Sequence, residues 1–184
     1  MKLHIFGASG SGTTTLGNLL SEEYGWPIFD ADDYYWKKTE IPFTEKNTTS
    51  QRHKLLLNDL EDKKSWIMTG SMDSWCEPFK PLWNLAILVE SDDDIRVQRL
   101  RDREFKEFGK RIHAGGDMYD EHELFIKWAK QYEDGSLGGR SRDRHEKFIQ
   151  NLTCPVLRIK NNRRLSDFKK EAIGLINEEM VLND

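Results

Sequence analysis

Three observations predict a three-layer α/β/α domain built on a five-stranded parallel sheet. Short apolar β-type runs alternate with longer helical ones along most of the chain. One of them, Leu85-Ala86-Ile87-Leu88-Val89, is continuously apolar, as a central strand buried on both faces should be. The first run, Lys2-Leu3-His4-Ile5-Phe6, passes directly into a glycine-rich turn and then a helix. The 184 residues suit one domain, since a single core ordinarily serves about 100–200 residues.

Taken in order, strand one is followed by a helix over about 14–24. Pro27-Ile28-Phe29 forms strand two and ends at the acidic run Asp30-Ala31-Asp32-Asp33. A helix over about 51–63 leads to strand three, Trp66-Ile67-Met68-Thr69, closed by Gly70. After strand four, Ser91-Asp92-Asp93-Asp94 offers side-chain oxygens to cap the next helix. Pro155-Val156-Leu157-Arg158-Ile159 is strand five. The last helix carries Leu165, Phe168, Ala172, Leu175, Ile176 and Met180 as an apolar stripe. Residues 105–150 interrupt the alternation. They hold a helix near 119–133 between Gly-rich stretches at 109–117 and 135–140, the pattern of a helical lid insertion hinged by its glycines.

Composition narrows the function classes. With 13 Gly, 5 Pro and 11% aromatic residues, collagen, coiled coil and disordered chain are excluded. No run approaches the ~20 apolar residues that span a bilayer. The N-terminal run reads as strand one and not as a signal peptide, so a cytoplasmic protein without a membrane partner is expected. A net charge of −4 argues against nucleic acid as a partner. Cys76 and Cys154 stand at no metal-ligand spacing and read as reduced thiols. Oligomeric state is left open.

The chemistry begins at Gly7-Ala8-Ser9-Gly10-Ser11-Gly12-Thr13-Thr14-Thr15. Against the phosphate-loop pattern G-x-x-x-x-G-K-[ST], Gly7, Gly12 and Thr14 match, and Thr13 stands where lysine belongs. In such a loop successive backbone N–H groups converge on phosphate oxygens, and the helix N-terminus adds a positive dipole end. The Thr14 hydroxyl is the candidate Mg²⁺ ligand. Arg96, Arg99 and Arg103 share one helix face. Arg101 reads as a partner in surface ion pairs, Arg111 as structural, and Asp33 as a helix cap.

This loop and the residues around it resemble the P-loop small-molecule kinases of the adenylate kinase type. More closely, they are similar to bacterial adenylate kinase-related proteins that carry Gly-Thr-Thr-Thr at this point. The likeness runs on through Asp30-Ala31-Asp32-Asp33-Tyr34-Tyr35-Trp36, Gly115-Gly116-Asp117-Met118-Tyr119, Gly139-Arg140-Ser141 and Cys154-Pro155-Val156-Leu157, so it spans nearly the whole chain. It implies a P-loop NTPase fold and an ATP-dependent kinase. Such an enzyme uses ATP or another nucleoside triphosphate with Mg²⁺, and moves the γ-phosphoryl to a small-molecule or nucleotide acceptor.

The resemblance also implies roles. Arg99 would lie against the adenine and Arg103 would reach the phosphates. Arg140, then Arg144, would swing from the lid onto the transferring group. Asp30 would join the metal shell and Asp32 would accept the proton of the attacking hydroxyl. Thr13 supplies no charge, and the lid arginines are the candidate substitutes. A nucleotide-binding regulatory protein and a slow NTPase stay open as alternatives. On the acceptor side, Tyr34, Tyr35 and Trp36 either stack on a ring or pack to the core. Lys46 and Arg52 lie where adenylate kinases keep arginines for the monophosphate. Thr69-Gly70-Ser71-Met72-Asp73 departs from the Asp-Gly-Phe-Pro-Arg of true adenylate kinases and leaves the acceptor open. His113, His122 and His145 read as surface or lid residues.

Overall fold

The computed structural model describes residues 1–39 and 44–182. Its strands are β1 (Lys2–Gly7), β2 (Ile28–Asp30), β3 (Trp66–Thr69), β4 (Leu85–Glu90) and β5 (Val156–Lys160). They form one five-stranded sheet, all neighbours parallel, in the order β2-β3-β1-β4-β5. Leu3 pairs with Leu85, Ile5 with Ile87 and Phe6 with Leu88, so β1 and β4 run side by side at the centre.

Alternation along the strands divides the core in two. Leu3, Ile5, Ile67, Leu85, Ile87 and Val89 meet Leu16 and Leu20 of α1 (Thr13–Tyr24) and Phe168, Ala172 and Ile176 of α7 (Leu165–Leu182). Phe6, Trp66, Met68, Ala86 and Leu88 meet Leu56 and Leu60 of α3 (Thr49–Leu60), together with Trp75, Phe79, Trp83 and Phe148. Each fully buried aliphatic or aromatic side chain contributes about 1.5–3 kcal/mol, and β1 and β4 collect that gain on both faces. The three-layer α/β/α P-loop fold is therefore the one the sequence predicts.

Local details differ from the sequence reading. Helix α3 starts earlier than expected, because Thr48 and Gln51 form a capping box. The acidic run before α4 (Asp93–Phe108) makes no side-chain cap. Asp92 instead takes a 2.9 Å ion pair from Lys160, and Ser91 donates to the Asn161 carbonyl and to Asn162. Asp30, and not Asp33, caps the short helix α2 (Ala31–Tyr35). In the insertion, α5 (Tyr119–Lys130) packs against α4 through Leu100, Ile126 and Ala129. A further helix, α6 (Arg142–Gln150), follows the second Gly-rich stretch and was not expected. Ser141 caps it, accepting from the Arg144 N–H at 3.3 Å. Among the described residues no helix is long and apolar enough to cross a membrane. Cys76 and Cys154 are both free thiols, and burial pushes the Cys76 pKa up to about 11.

Candidate active site

The ends of all five strands bring functional groups to one edge. The glycine-rich loop follows β1, Asp30 ends β2, Thr69 ends β3, Ser91 follows β4 and Asn161 follows β5. The chain leaves β1 toward β2 on one side and leaves β4 toward β5 on the other. A crevice outside the carboxyl ends of such strands is where open α/β sheets bind ligands.

The loop is held from behind by the scaffold. Gly7 runs so close to β4 that a Cβ there would stand 2.3 Å from the Val89 carbonyl oxygen. Gly12, at φ 102°, turns the chain into α1 and faces Asn161, whose Nδ2 donates to the Ser11 carbonyl at 2.8 Å. Arg96, fully buried, donates to the carbonyls of Ser9 at 2.9 Å and Ala129 at 3.3 Å, and pairs with Asp93. Helix α1 starts with no side-chain cap and no acid in its first turn. The N–H groups around Thr13, Thr14 and Thr15 thus stand at a positive helix end that no acid of the helix's own first turn offsets.

Thr14 donates its hydroxyl to Asp30 Oδ2 at 3.1 Å, and Thr69 donates to the same oxygen at 3.1 Å. Asp30 Oδ1 accepts from the Asp32 N–H at 3.0 Å. One hydroxyl and one carboxylate in contact are hard oxygen donors of the kind Mg²⁺ takes, with water and phosphate completing its shell. No group of three or more His, Cys, Asp or Glu forms a metal cage among the described residues. Asp32 opens to solvent at the cleft, yet the protein crowding its carboxylate raises the pKa by desolvation. Arg140 opposes the rise, Asp30 reinforces it and Arg103 opposes it.

Of the predicted arginines, Arg140 reaches the loop. It donates to Ser9 Oγ at 3.0 Å and lies 5.9 Å from the centre of the Trp128 ring. Ser9, Trp128, Ala129, Tyr132 and Arg140 line one small recess. A larger cleft lies apart from the loop, lined by Arg101 of α4 and by Leu124 and Lys127 of α5. Arg144 is engaged by Asp73 and reaches the Gly139 carbonyl at 3.5 Å. Arg99 donates to the Asn161 carbonyl at 3.1 Å and to Ser91 Oγ at 3.4 Å, beside the loop. Arg103 is 59% exposed, 3.5 Å from Glu104 and 5.9 Å from the Phe125 ring. The structure brings Thr14, Asp30 and Asp32 together, sets Arg140 and Arg103 near enough to act on the Asp32 charge, and holds Arg144 on Asp73.

A family model described as an AAA domain matches residues 4–123, well over half of the chain. The chain belongs to the AAA domain family. It is 39% identical over 160 residues to "Uncharacterized protein YqaC" of Bacillus subtilis (strain 168), covering 87% of this chain and 88% of that one. It is 24% identical to a protein named "Uridine kinase" from Ligilactobacillus salivarius (strain UCC118), over 71% of this chain and 81% of that one. Among solved structures, shikimate kinase from Acinetobacter baumannii in complex with shikimate superposes with a TM-score of 0.59. There the identity is 16%, with 96% of this chain and 93% of the other covered, a likeness of fold.

Beyond the residues that the AAA domain model matches, sequence reasoning missed a buried network. His145 is 1% exposed, with Nε2 3.0 Å from Ser71 Oγ and Nδ1 2.8 Å from the Tyr132 hydroxyl. Burial pushes its pKa down to about 3, and Arg140, His4 and Arg144 push the same way. His122, also buried, sits 3.1 Å from Glu104. Both lie within the 105–150 insertion, one of the two places expected for them, and neither is at the surface. Their partners come from other elements, so no local pattern marks them. Arg111 pairs with Asp117 as a structural residue, and Arg101 pairs with Glu123. His113 is exposed and stacks on Phe105.

Proposed function

We propose that this chain is a phosphotransferase of the adenylate kinase-related P-loop kinases. It moves the γ-phosphoryl of ATP or another nucleoside triphosphate to a hydroxyl or phosphate oxygen of a small molecule or nucleotide. The observation that carries the reading is Arg140 on Ser9 Oγ, over a loop whose lysine position holds Thr13. A guanidinium delivered by the lid supplies the charge that the loop itself lacks. Similarity to a protein named uridine kinase supports a small-molecule acceptor.

The loop N–H groups and the N-terminus of α1 bind the donor phosphates, and Arg99 borders the base. Thr14 and Asp30 hold Mg²⁺, which offsets phosphate charge when bound. Asp32 takes the proton of an attacking hydroxyl. As the acceptor oxygen bonds to the γ-phosphorus, the bond from that phosphorus to the bridging oxygen breaks, and the nucleoside diphosphate leaves with the electron pair. The raised pKa of Asp32 suits a group that must accept a proton. Localisation to the cytoplasm accords with a nucleotide substrate.

The test is a screen of sugar, sugar-acid, nucleoside and nucleotide acceptors with γ-labelled ATP, alongside calorimetry of ATP binding. Label appearing on an acceptor is the expected result. Tight ATP binding with neither transfer nor hydrolysis would replace this reading with a nucleotide-binding regulator. Hydrolysis alone would leave a slow NTPase.

A further inference from the structure

We propose that Tyr132 is a positioning residue, whose bond to His145 fixes the neck of the loop that presents Arg140 to Ser9. The proposal rests on the phosphotransferase reading, in which Arg140 supplies charge to the transferring group.

Arg140 follows a stretch poorly suited to precise placement. Gly135, Gly138 and Gly139 stand just before it at φ 67°, 73° and 79°, and glycine loses more backbone freedom on ordering than any other residue. Ordering an arginine side chain costs about 1.5–2 kcal/mol more. Yet Arg140 meets Ser9 Oγ at 3.0 Å. A displacement of about 1 Å can slow a reaction about 100-fold, so this loop needs support from outside itself.

The supports converge on Tyr132, which is buried. Its carbonyl accepts from the Arg142 N–H at 2.8 Å and so closes residues 133–141 into a loop. Gln131, also buried, fills that loop. Its side chain donates to the Gly138 carbonyl at 3.2 Å and accepts from the Leu137 N–H. The loop is tied within itself, and its place depends on its neck.

The phenol bolts that neck to the sheet. Tyr132 Oη lies 2.8 Å from His145 Nδ1, and His145 Nε2 lies 3.0 Å from Ser71 Oγ, just beyond β3. Burial keeps His145 neutral, so one ring nitrogen donates and the other accepts. Among the described residues the phenol meets no other hydrogen-bond partner. Its hydrogen therefore goes to Nδ1, and Nε2–H donates to Ser71. Arg96 lies over the Tyr132 ring, 5.2 Å from its centre, and donates to the Ser9 carbonyl at 2.9 Å. Ser9 is thus held twice, at its carbonyl by Arg96 and at its hydroxyl by Arg140, with Tyr132 beside both arginines.

Tyr132→Phe tests this, because it keeps the ring against Arg96 and removes only the phenol bond. With the acceptor that takes label from ATP in the screen above, kcat should fall about 10–100-fold while KM for ATP stays within about twofold. Added to Arg140→Ala, the same change should cost less than about twofold more, since it acts through that side chain. His145→Leu should lose rate as Tyr132→Phe does, and His145→Gln, whose amide can meet both partners, should recover part of it. A second readout needs no activity. The Arg140 guanidinium lies 5.9 Å from the centre of the Trp128 ring. Nuclear Overhauser contacts between these side chains should be present in the wild-type chain and lost in Tyr132→Phe, with the rest of the spectrum retained. An unchanged kcat, a loss that adds in full to that of Arg140→Ala, surviving Arg140–Trp128 contacts or a spectrum altered throughout overturns the proposal. No transfer by the wild-type chain to any acceptor overturns the phosphotransferase reading instead, and the Arg140–Trp128 contacts then decide by themselves whether Tyr132 positions Arg140.

Discussion

Arg140 and Thr13 together frame the chemistry at the scale of single residues. A threonine hydroxyl can donate one hydrogen bond but cannot offset charge at a phosphoryl group in flight. With Arg140 in contact with Ser9, the proposed phosphotransferase reading has the cation come from across the cleft. Arg140→Ala should therefore slow transfer by about 10²–10³-fold while ATP binding, measured by calorimetry, changes little. Thr13→Lys in that background should restore part of the rate, and alone should help little. A wild-type chain without transferase activity that gains it on Thr13→Lys alone would show the loop to be disabled and the arginines to be clamps. Asp32→Asn keeps the shape of the side chain and removes the proposed base, so turnover should fall by about 10²–10⁴-fold with donor affinity retained. Asp30 could not be tested so cleanly, because it also caps α2 and holds Thr14 and Thr69.

The loop and its supports act as one element. Glycine is required at position 12 on two counts, a φ of 102° and an Asn161 Nδ2 that would lie 2.3 Å from a Cβ. Gly12→Ala should abolish measurable ATP binding by calorimetry. Adding Asn161→Ala removes the collision but not the backbone strain, and it also strips the Ser11 carbonyl of its donor. The double variant should recover only part of the affinity. Full recovery would mean that the clash alone fixes this glycine. The spacing of Gly7, Gly12 and Thr14 made the loop legible in sequence, whereas its two clamps were not. Asn161 lies 150 residues from Ser11, and Arg96 lies 87 from Ser9, so only the folded sheet edge brings them together. The strands were equally legible, because central parallel strands bury both faces and leave continuous apolar runs. Helix α6 was hidden, because Gly138-Gly139 reads as loop and Arg142-Asp143-Arg144 hides the few buried positions, His145 and Phe148, behind charge.

Across the whole molecule, two neutral histidines sit on one face of the central sheet. His4 is fully buried in β1, with Nε2 3.0 Å from the Gly70 carbonyl and its ring against Trp83 and Phe6. Burial pushes its pKa down to about 4, a fall that the Gly70 carbonyl partly offsets. His145, beyond the edge of Phe6, is held near 3 by burial and by Arg140. In the unfolded chain both bind a proton near 6.5. Between pH 6.5 and about 4 the unfolded state therefore holds more protons than the folded one. Stability is complete above that window and falls as the pH drops through it, by up to about 1.4 kcal/mol per pH unit for each histidine. The paired carboxylates add to acid unfolding only at lower pH, and Asp117 and Glu146 lie at the surface, where screening keeps their share small. Chemical denaturation at a series of pH values from 7.5 to about 4.5 should thus show midpoints falling steadily below about 6.5. His145→Gln retains an amide to meet Ser71 and Tyr132 and titrates nothing, so it should flatten the slope whatever its effect on stability at neutral pH. A slope unchanged in that variant, and again in His4→Gln, would assign the acid sensitivity to groups other than these two and leave the histidines as neutral packing.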